Sequence, residues 1–189
     1  MYIIDSVSFR HENLMDLATV NRLDHAAFVT ALGTVFENSP WVAEQAWHAR
    51  SFPSVAALHG AMVTAVKSAP RAQQLVLLRA HPELAGKEAR TGMMTDASKA
   101  EQSSAGLNQL TRDEVERISQ LNTEYRSKFG HPFIIAARNH TKQDIFAAFE
   151  QRLNNSADAE REAALTEVFA ITQLRLDVMF APAAQRVGT

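Results

Sequence analysis

Only 7 glycines and 6 prolines punctuate these 189 residues, and alanine and leucine run throughout. Punctuation this sparse favours long helices over many short strands. The helix starts are legible. Asp24 is placed to cap a helix carrying Ala27, Phe28, Ala31 and Leu32. Ser39-Pro40 reads as an N-cap followed by proline at the first helical position, leading into a helix from Trp41 to Arg50. Ser54 precedes Val55, Leu58, Met62, Ala65 and Val66 at helical spacing. Pro70 opens a helix with Leu75 and Leu78 that must end near Ala80, because Pro82 follows.

Glu83 to Thr95 holds Gly86 and Gly92 and shows no period, so it reads as mostly loop. Thr95 or Asp96 then starts a helix through Ser98, Glu101 and Ala105. Thr111 to Glu114 fits a capping box, followed by Val115, Ile118, Asn122, Tyr125 and Phe129 at steps of three and four, with Gly130 as the stop. The apolar stretch after His131-Pro132 is too short to be told as helix or strand by pattern. Thr141 caps a helix with Ile145, Phe146, Phe149 and Leu153, and Ser156 caps a last one reaching about Phe180. No repeat or linker interrupts the chain. The expectation is an all-α, single-domain helical bundle of about eight helices over residues 1–189.

Composition narrows the partners. A net charge of -2 with no basic block argues against nucleic acid and gives no reason to invoke an anionic membrane surface. Cysteine is absent, which removes disulfides, thiolate nucleophiles and cysteine-based zinc sites. Uncharged runs such as Ser51 to Val66 are too short to span a bilayer. The start at Met1 to Asp5 has no basic region, and the end at Val187 to Thr189 is no peroxisomal address, so a cytoplasmic protein is expected.

Function is sought where polar residues interrupt apolar faces. In the last helix Leu165, Val168, Thr172, Arg175 and Met179 share a stripe, which puts a guanidinium among apolar neighbours. Such an arginine is an arm of an internal salt bridge, a stem snorkelling to the edge, or a holder of an anionic ligand. His81 sits at a helix end fixed by Pro82, where it is either an ordinary terminal histidine or an acid–base group. Ser98 and Glu101 share a face near a helix N-terminus, where the dipole alone favours a carboxylate. There is no His-Glu-x-x-His motif and no glycine-rich phosphate loop, and no two histidines stand three or four apart, so no metal or phosphate-bearing cofactor is expected.

These segments together resemble one family, the 2-oxo-4-hydroxy-4-carboxy-5-ureidoimidazoline (OHCU) decarboxylases, which carry out the last step of urate oxidation to allantoin. The resemblance covers nearly the whole chain. It rests on Leu78-Arg79-Ala80-His81-Pro82-Glu83-Leu84, Ser98-x-x-Glu101-Gln102 with Ala105-Gly106-Leu107, Leu121-Asn122-x-x-Tyr125-x-x-Lys128-Phe129-Gly130, Phe133-Ile134-Ile135 and Arg175-Leu176, in order. The chain departs from many relatives at Gly130-His131-Pro132, where an aromatic residue often follows the glycine.

The resemblance implies a cofactor-free carboxy-lyase giving (S)-allantoin, acting as a homodimer on a small-molecule substrate. It implies His81 and Glu101 as catalytic residues. Substrate contacts would come from Pro82, Ser98, Lys99, Ala100, Glu101, Gln102, Phe133, Ile134, Ile135, Ala136, Ala137 and Arg175. Trp41 and Trp47 could serve an interface or the core equally well. Two other readings compete: a non-catalytic ligand-binding or scaffold protein on the same fold, and a metal hydrolase using His81 and Glu101.

Overall fold

The computed structural model describes residues 15–86 and 94–181. The chain start at 1–5, Gly92 and the end at 187–189 lie outside them. Among the described residues there are α-helices and one 3-10 turn, and no strand. In order these are α1 (Leu17–Arg22), α2 (His25–Leu32), α3 (Trp41–Trp47), α4 (Val55–Ser68), α5 (Arg71–Arg79), α6 (Asp96–Ser104), α7 (Arg112–Phe129), the turn at Ala137–Asn139, α8 (Lys142–Arg152) and α9 (Ala157–Phe180). The all-α expectation holds. The unforeseen element is α1, whose 6 residues, capped by Asp16, are too few for an apolar spacing to register.

Side-chain caps govern most starts. Asp24, Ser54, Thr95, Thr111, Thr141 and Ser156 each accept a backbone N–H from the first turn of the helix they precede. Thr111 and Glu114 complete the capping box. The α3 start differs from expectation. Pro40 is itself the N-cap, with no side-chain bond, and the helix stops at Trp47 rather than Arg50. Main-chain carbonyls begin the turn instead, Ser39 accepting from Val42 and Pro40 from Glu44.

Two apolar clusters form. The first joins α2, α3, α4, α5 and α9 through residues such as Phe28, Leu58, Met62, Leu77, Val168 and Leu176, with Trp41 and Trp47 packed partly buried against it. The second gathers α7 and α8 around Ile118, Tyr125, Ile145 and Phe149, with Leu84 and Leu107. Residues 133–137 run between them. Phe133, Ile135 and Ala137 enter the second cluster, whereas Ile134 and Ala136 enter the first. An extended backbone alternates its side chains, so one short segment can feed two cores. With both faces buried its sequence is continuously apolar, which is why pattern alone could not classify it. Its buried backbone polar groups find side-chain partners. The Ile134 carbonyl accepts from Arg152 Nη1 at 2.8 Å, and the Ala136 N–H donates to Glu167 Oε2 at 2.8 Å.

Gly130 ends α7 with φ 74°, the left-handed conformation that glycine adopts without steric cost. Its carbonyl accepts from Arg79 Nε at 2.8 Å, tying the end of α7 to the end of α5. Gly130→Ala is expected to lower unfolding free energy by about 1 kcal/mol, read from urea denaturation midpoints at unchanged slope.

Candidate active site

The site begins at the C-terminal end of α5. Ala80 caps that helix, the His81 N–H still reaches the Leu78 carbonyl at 3.3 Å, and Pro82 prevents continuation. The His81 ring turns back along the helix, with Nδ1 3.0 Å from the Leu77 carbonyl oxygen. A carbonyl only accepts, so Nδ1 carries the proton and Nε2 presents its lone pair. Nε2 is buried and has no hydrogen-bond partner among the described residues. Burial pushes the His81 pKa down to about 4; the charge of Glu37 and the Leu77 carbonyl oppose this, and the charges of Arg175 and His131 add to it. At neutral pH the imidazole is uncharged.

Arg175 rises from α9 on its apolar stripe, and all five of its N–H donors are accepted. Nε and Nη2 fork onto Glu101 Oε1 and Oε2, both at 2.8 Å. Nη1 donates to Glu37 Oε2 at 2.7 Å and to the Val35 carbonyl at 3.2 Å, and Nη2 also reaches Ser98 Oγ at 3.1 Å. Burial works against the Arg175 charge, but Glu101 and then Glu37 outweigh it and hold its pKa above the ordinary value.

The first two turns of α6 supply the facing wall. Thr95 caps it through the Ser98 N–H, and Ser98 Oγ lies 3.1 Å from both Glu37 carboxylate oxygens. Ser98, Glu101 and Gln102 fall on the inward face, while Lys99 and Ala100 point outward, as a helical step of about 100° requires. Gln102 is committed at both ends of its amide. Oε1 accepts from the Ala85 N–H at 2.9 Å, and Nε2 donates to the Glu83 carbonyl at 3.2 Å. Asn122 Nδ2 holds the Leu84 carbonyl at 2.9 Å. These two amides pin the turn that follows His81-Pro82.

His81, Pro82, Ser98, Glu101, Gln102, Phe133, Ile134, Ile135, Ala137 and Arg175 line one cavity, closed by Leu84 and Ile171. The space measures about 360 Å³ including its open side. Three expected contacts fall elsewhere. Lys99 is on the surface beside Asp96, 3.4 Å away. Ala100 borders a separate cavity behind the Glu101–Arg175 pair. Ala136 is absent from the cavity lining, and its side chain packs in the first apolar cluster.

Glu37 was missed. It follows Val35-Phe36 in the α2–α3 connection, where an acid is ordinarily solvated and no helical period marks it. Its charge is nonetheless the one that faces His81 and counters its burial. Among the described residues no group of three or more histidine, aspartate and glutamate side chains gathers at metal-binding range.

Comparison with known proteins follows this geometry. A family model described as OHCU decarboxylase matches residues 21–177. The chain is 46% identical over 166 residues to the 2-oxo-4-hydroxy-4-carboxy-5-ureidoimidazoline decarboxylase of Haloferax volcanii, covering 88% of this chain and 96% of that one. It is 41% identical over 167 residues to the uric acid degradation bifunctional protein of Bacillus sp. (strain TB-90), spanning 32% of that longer protein. Among solved structures, an (S)-allantoin synthase superposes with TM-score 0.70 at 30% identity, covering 87% of this chain and 54% of that chain.

The neutral His81 has a consequence for stability. Its pKa rests near 6.5 when unfolded and about 4 when folded, so between those values the unfolded chain binds the extra proton. Stability therefore falls as pH drops through this window. Burial lowers His59 and His131 as well, so the wild type alone is not diagnostic. His81→Asn is expected to lose less stability than wild type between pH 7 and pH 5, measured by urea denaturation at each pH; parallel losses would show that His81 is not held neutral.

Proposed function

This chain belongs to the OHCU decarboxylase family, and from that premise we propose that it converts 2-oxo-4-hydroxy-4-carboxy-5-ureidoimidazoline to (S)-allantoin and CO2. The observation that carries the reading is the meeting, on one cavity, of an unpartnered neutral imidazole nitrogen with a forked arginine–carboxylate pair.

The substrate holds its hydroxyl and carboxylate on one ring carbon, beside the carbon that bears the ureido group. When the bond to the carboxylate breaks, its electron pair forms a double bond to the ureido-bearing carbon, and the neighbouring carbon–nitrogen π pair moves onto nitrogen, which takes a proton. The hydroxyl proton then leaves as that oxygen becomes a carbonyl, and the ureido-bearing carbon gains a proton. One proton is consumed for each CO2 released. The electron sink lies within the substrate, so the reading assigns no cofactor.

In this reading His81 Nε2 accepts the hydroxyl proton and returns it to carbon on one face, which sets the (S) configuration. Its depressed pKa leaves Nε2 unprotonated at neutral pH and makes the imidazolium, once formed, a strong proton donor. Arg175 holds the carboxylate or a carbonyl oxygen. Glu101 accepts from substrate hydroxyl or N–H groups, with Ser98 and the backbone of residues 133–137 alongside. Pro82 and Gln102 fix the corner that presents His81. The apolar side of the cavity, from Leu84, Phe133, Ile135 and Ile171, suits departure of uncharged CO2. We also take the enzyme to be single-domain and cytoplasmic, as its sequence suggests, and, on the resemblance, a homodimer. Among the described residues no helix is long and apolar enough to cross a membrane.

The test is to supply freshly prepared substrate and follow the circular dichroism of the allantoin formed. Uncatalysed decarboxylation has no chiral guide and gives racemate. Wild type is expected to give the (S) product, with activity surviving exhaustive chelation. His81→Asn is expected to slow the chemical step about 10²–10⁴-fold and to forfeit the enantiomeric excess. A His81→Asn enzyme giving (S)-allantoin at the wild-type rate would remove His81 from the mechanism. Arg175→Lys keeps the charge without the planar fork, and is expected to weaken ligand binding as well as turnover.

A further inference from the structure

Arg175 has no donor to spare: five N–H groups meet two carboxylates, one carbonyl and one hydroxyl. For it to take a substrate oxygen, one acceptor must let go. The two carboxylates are not equally placed to do so. The Glu101 side chain is 13% exposed and lines the cavity beside His81. The Glu37 side chain is 2% exposed and is absent from that lining. Besides Arg175 it is fastened by the Ser98 hydroxyl at 3.1 Å and lies 3.3 Å from the Thr95 hydroxyl.

Glu37 also holds a backbone φ of 52°, a left-handed conformation that a non-glycine residue keeps only when its surroundings impose it. Were Glu37 the group to leave, a carboxylate would be stranded with its charge uncompensated in the interior. Glu101, at the cavity wall, can turn toward substrate instead.

We propose that Glu37 is a positioning residue of the decarboxylation, the fixed counter-ion that keeps Arg175 in place while Glu101 exchanges its hold on Nε and Nη2 for the substrate's own groups. Arg175 stays anchored through Nη1 to Glu37 and Val35, and the donors released face the cavity. Glu37 also faces His81 across a second cavity that both residues line, so its charge acts on the imidazole as well as on the guanidinium. The other charged or titratable groups acting on His81 are Arg175 and His131.

The proposal rests on the decarboxylase reading, and the experiment separates the two. Wild type, Glu37→Gln and Glu101→Gln are compared for kcat and KM on OHCU, and for kcat/KM across pH. Glu37→Gln removes the fixed charge and leaves Glu101 as the sole counter-ion of Arg175, harder to displace. KM is expected to rise about 10- to 100-fold, the worth of a hydrogen bond to a charged group. The acid limb of kcat/KM should move to lower pH, because His81 loses the charge that favours its protonated form. Glu101→Gln should show the opposite split, with kcat falling and KM unchanged or lower. Glu37→Asp should restore the acid limb while leaving KM raised, since the charge returns on a shorter arm. If Glu37→Gln does not fold, Glu37→Asp decides: a wild-type KM overturns the proposal. It is equally overturned if Glu37→Gln leaves KM and the acid limb unmoved. Wild type that fails to decarboxylate OHCU would overturn the functional reading itself.

Discussion

A guanidinium withdrawn from water between two carboxylates organises this structure. Desolvating the Arg175 charge is costly, and only well-formed ionic hydrogen bonds offset the cost. Those bonds come from residues 138, 77 and 74 positions away, on the α2–α3 connection and on α6. They seat α6 against α9 through polar contacts, for the buried side chains of α6 are Ser98 and Gln102 rather than aliphatic residues. Removing one member of such an arrangement typically costs about 3–5 kcal/mol, because its partner is left buried and charged. The wall that bears the chemistry is therefore also the joint that docks α6.

The second constraint is the corner at His81-Pro82. The histidine gains its tautomer from the Leu77 carbonyl and its neutrality from burial. The turn beyond it sends Leu84 into the second apolar cluster, and amides from α6 and α7 hold its backbone. Opposite lies the apolar segment at 133–137, whose side chains enter both apolar clusters. The cavity thus sits on the seam between cores, where a rigid wall and polar groups from several elements meet without breaking the packing of either cluster.

Much of this was legible in the residues. Caps written as Asp24, Ser54, Thr111, Thr141 and Ser156 are local chemistry, since each side chain satisfies N–H groups within three residues of itself. Gly130 ends α7 for an equally local reason. Arg175 stands out because its helix makes a visible stripe, Ser98 and Glu101 because a helix carries them on one face, and Gln102 only through the family resemblance. Lys99 and Ala100 lie between those residues in sequence, but the helical step turns them outward. Ala136 likewise lies in a continuous stretch, but its side chain packs in the first apolar cluster.

What the sequence determined by itself is what short-range physics controls: helical class, caps and stops, the histidine at a proline-fixed corner, and an arginine that needs an anion. Which anion it meets is a long-range matter. Glu37 lies in a connection without periodicity, and nothing within several residues distinguishes it from a solvated acid. Only the tertiary structure brings it 2.7 Å from Arg175 and within the field of His81. The same holds for the double commitment of residues 133–137. An apolar run says that a segment is buried, but which core each residue enters depends on elements that arrive from elsewhere in the chain.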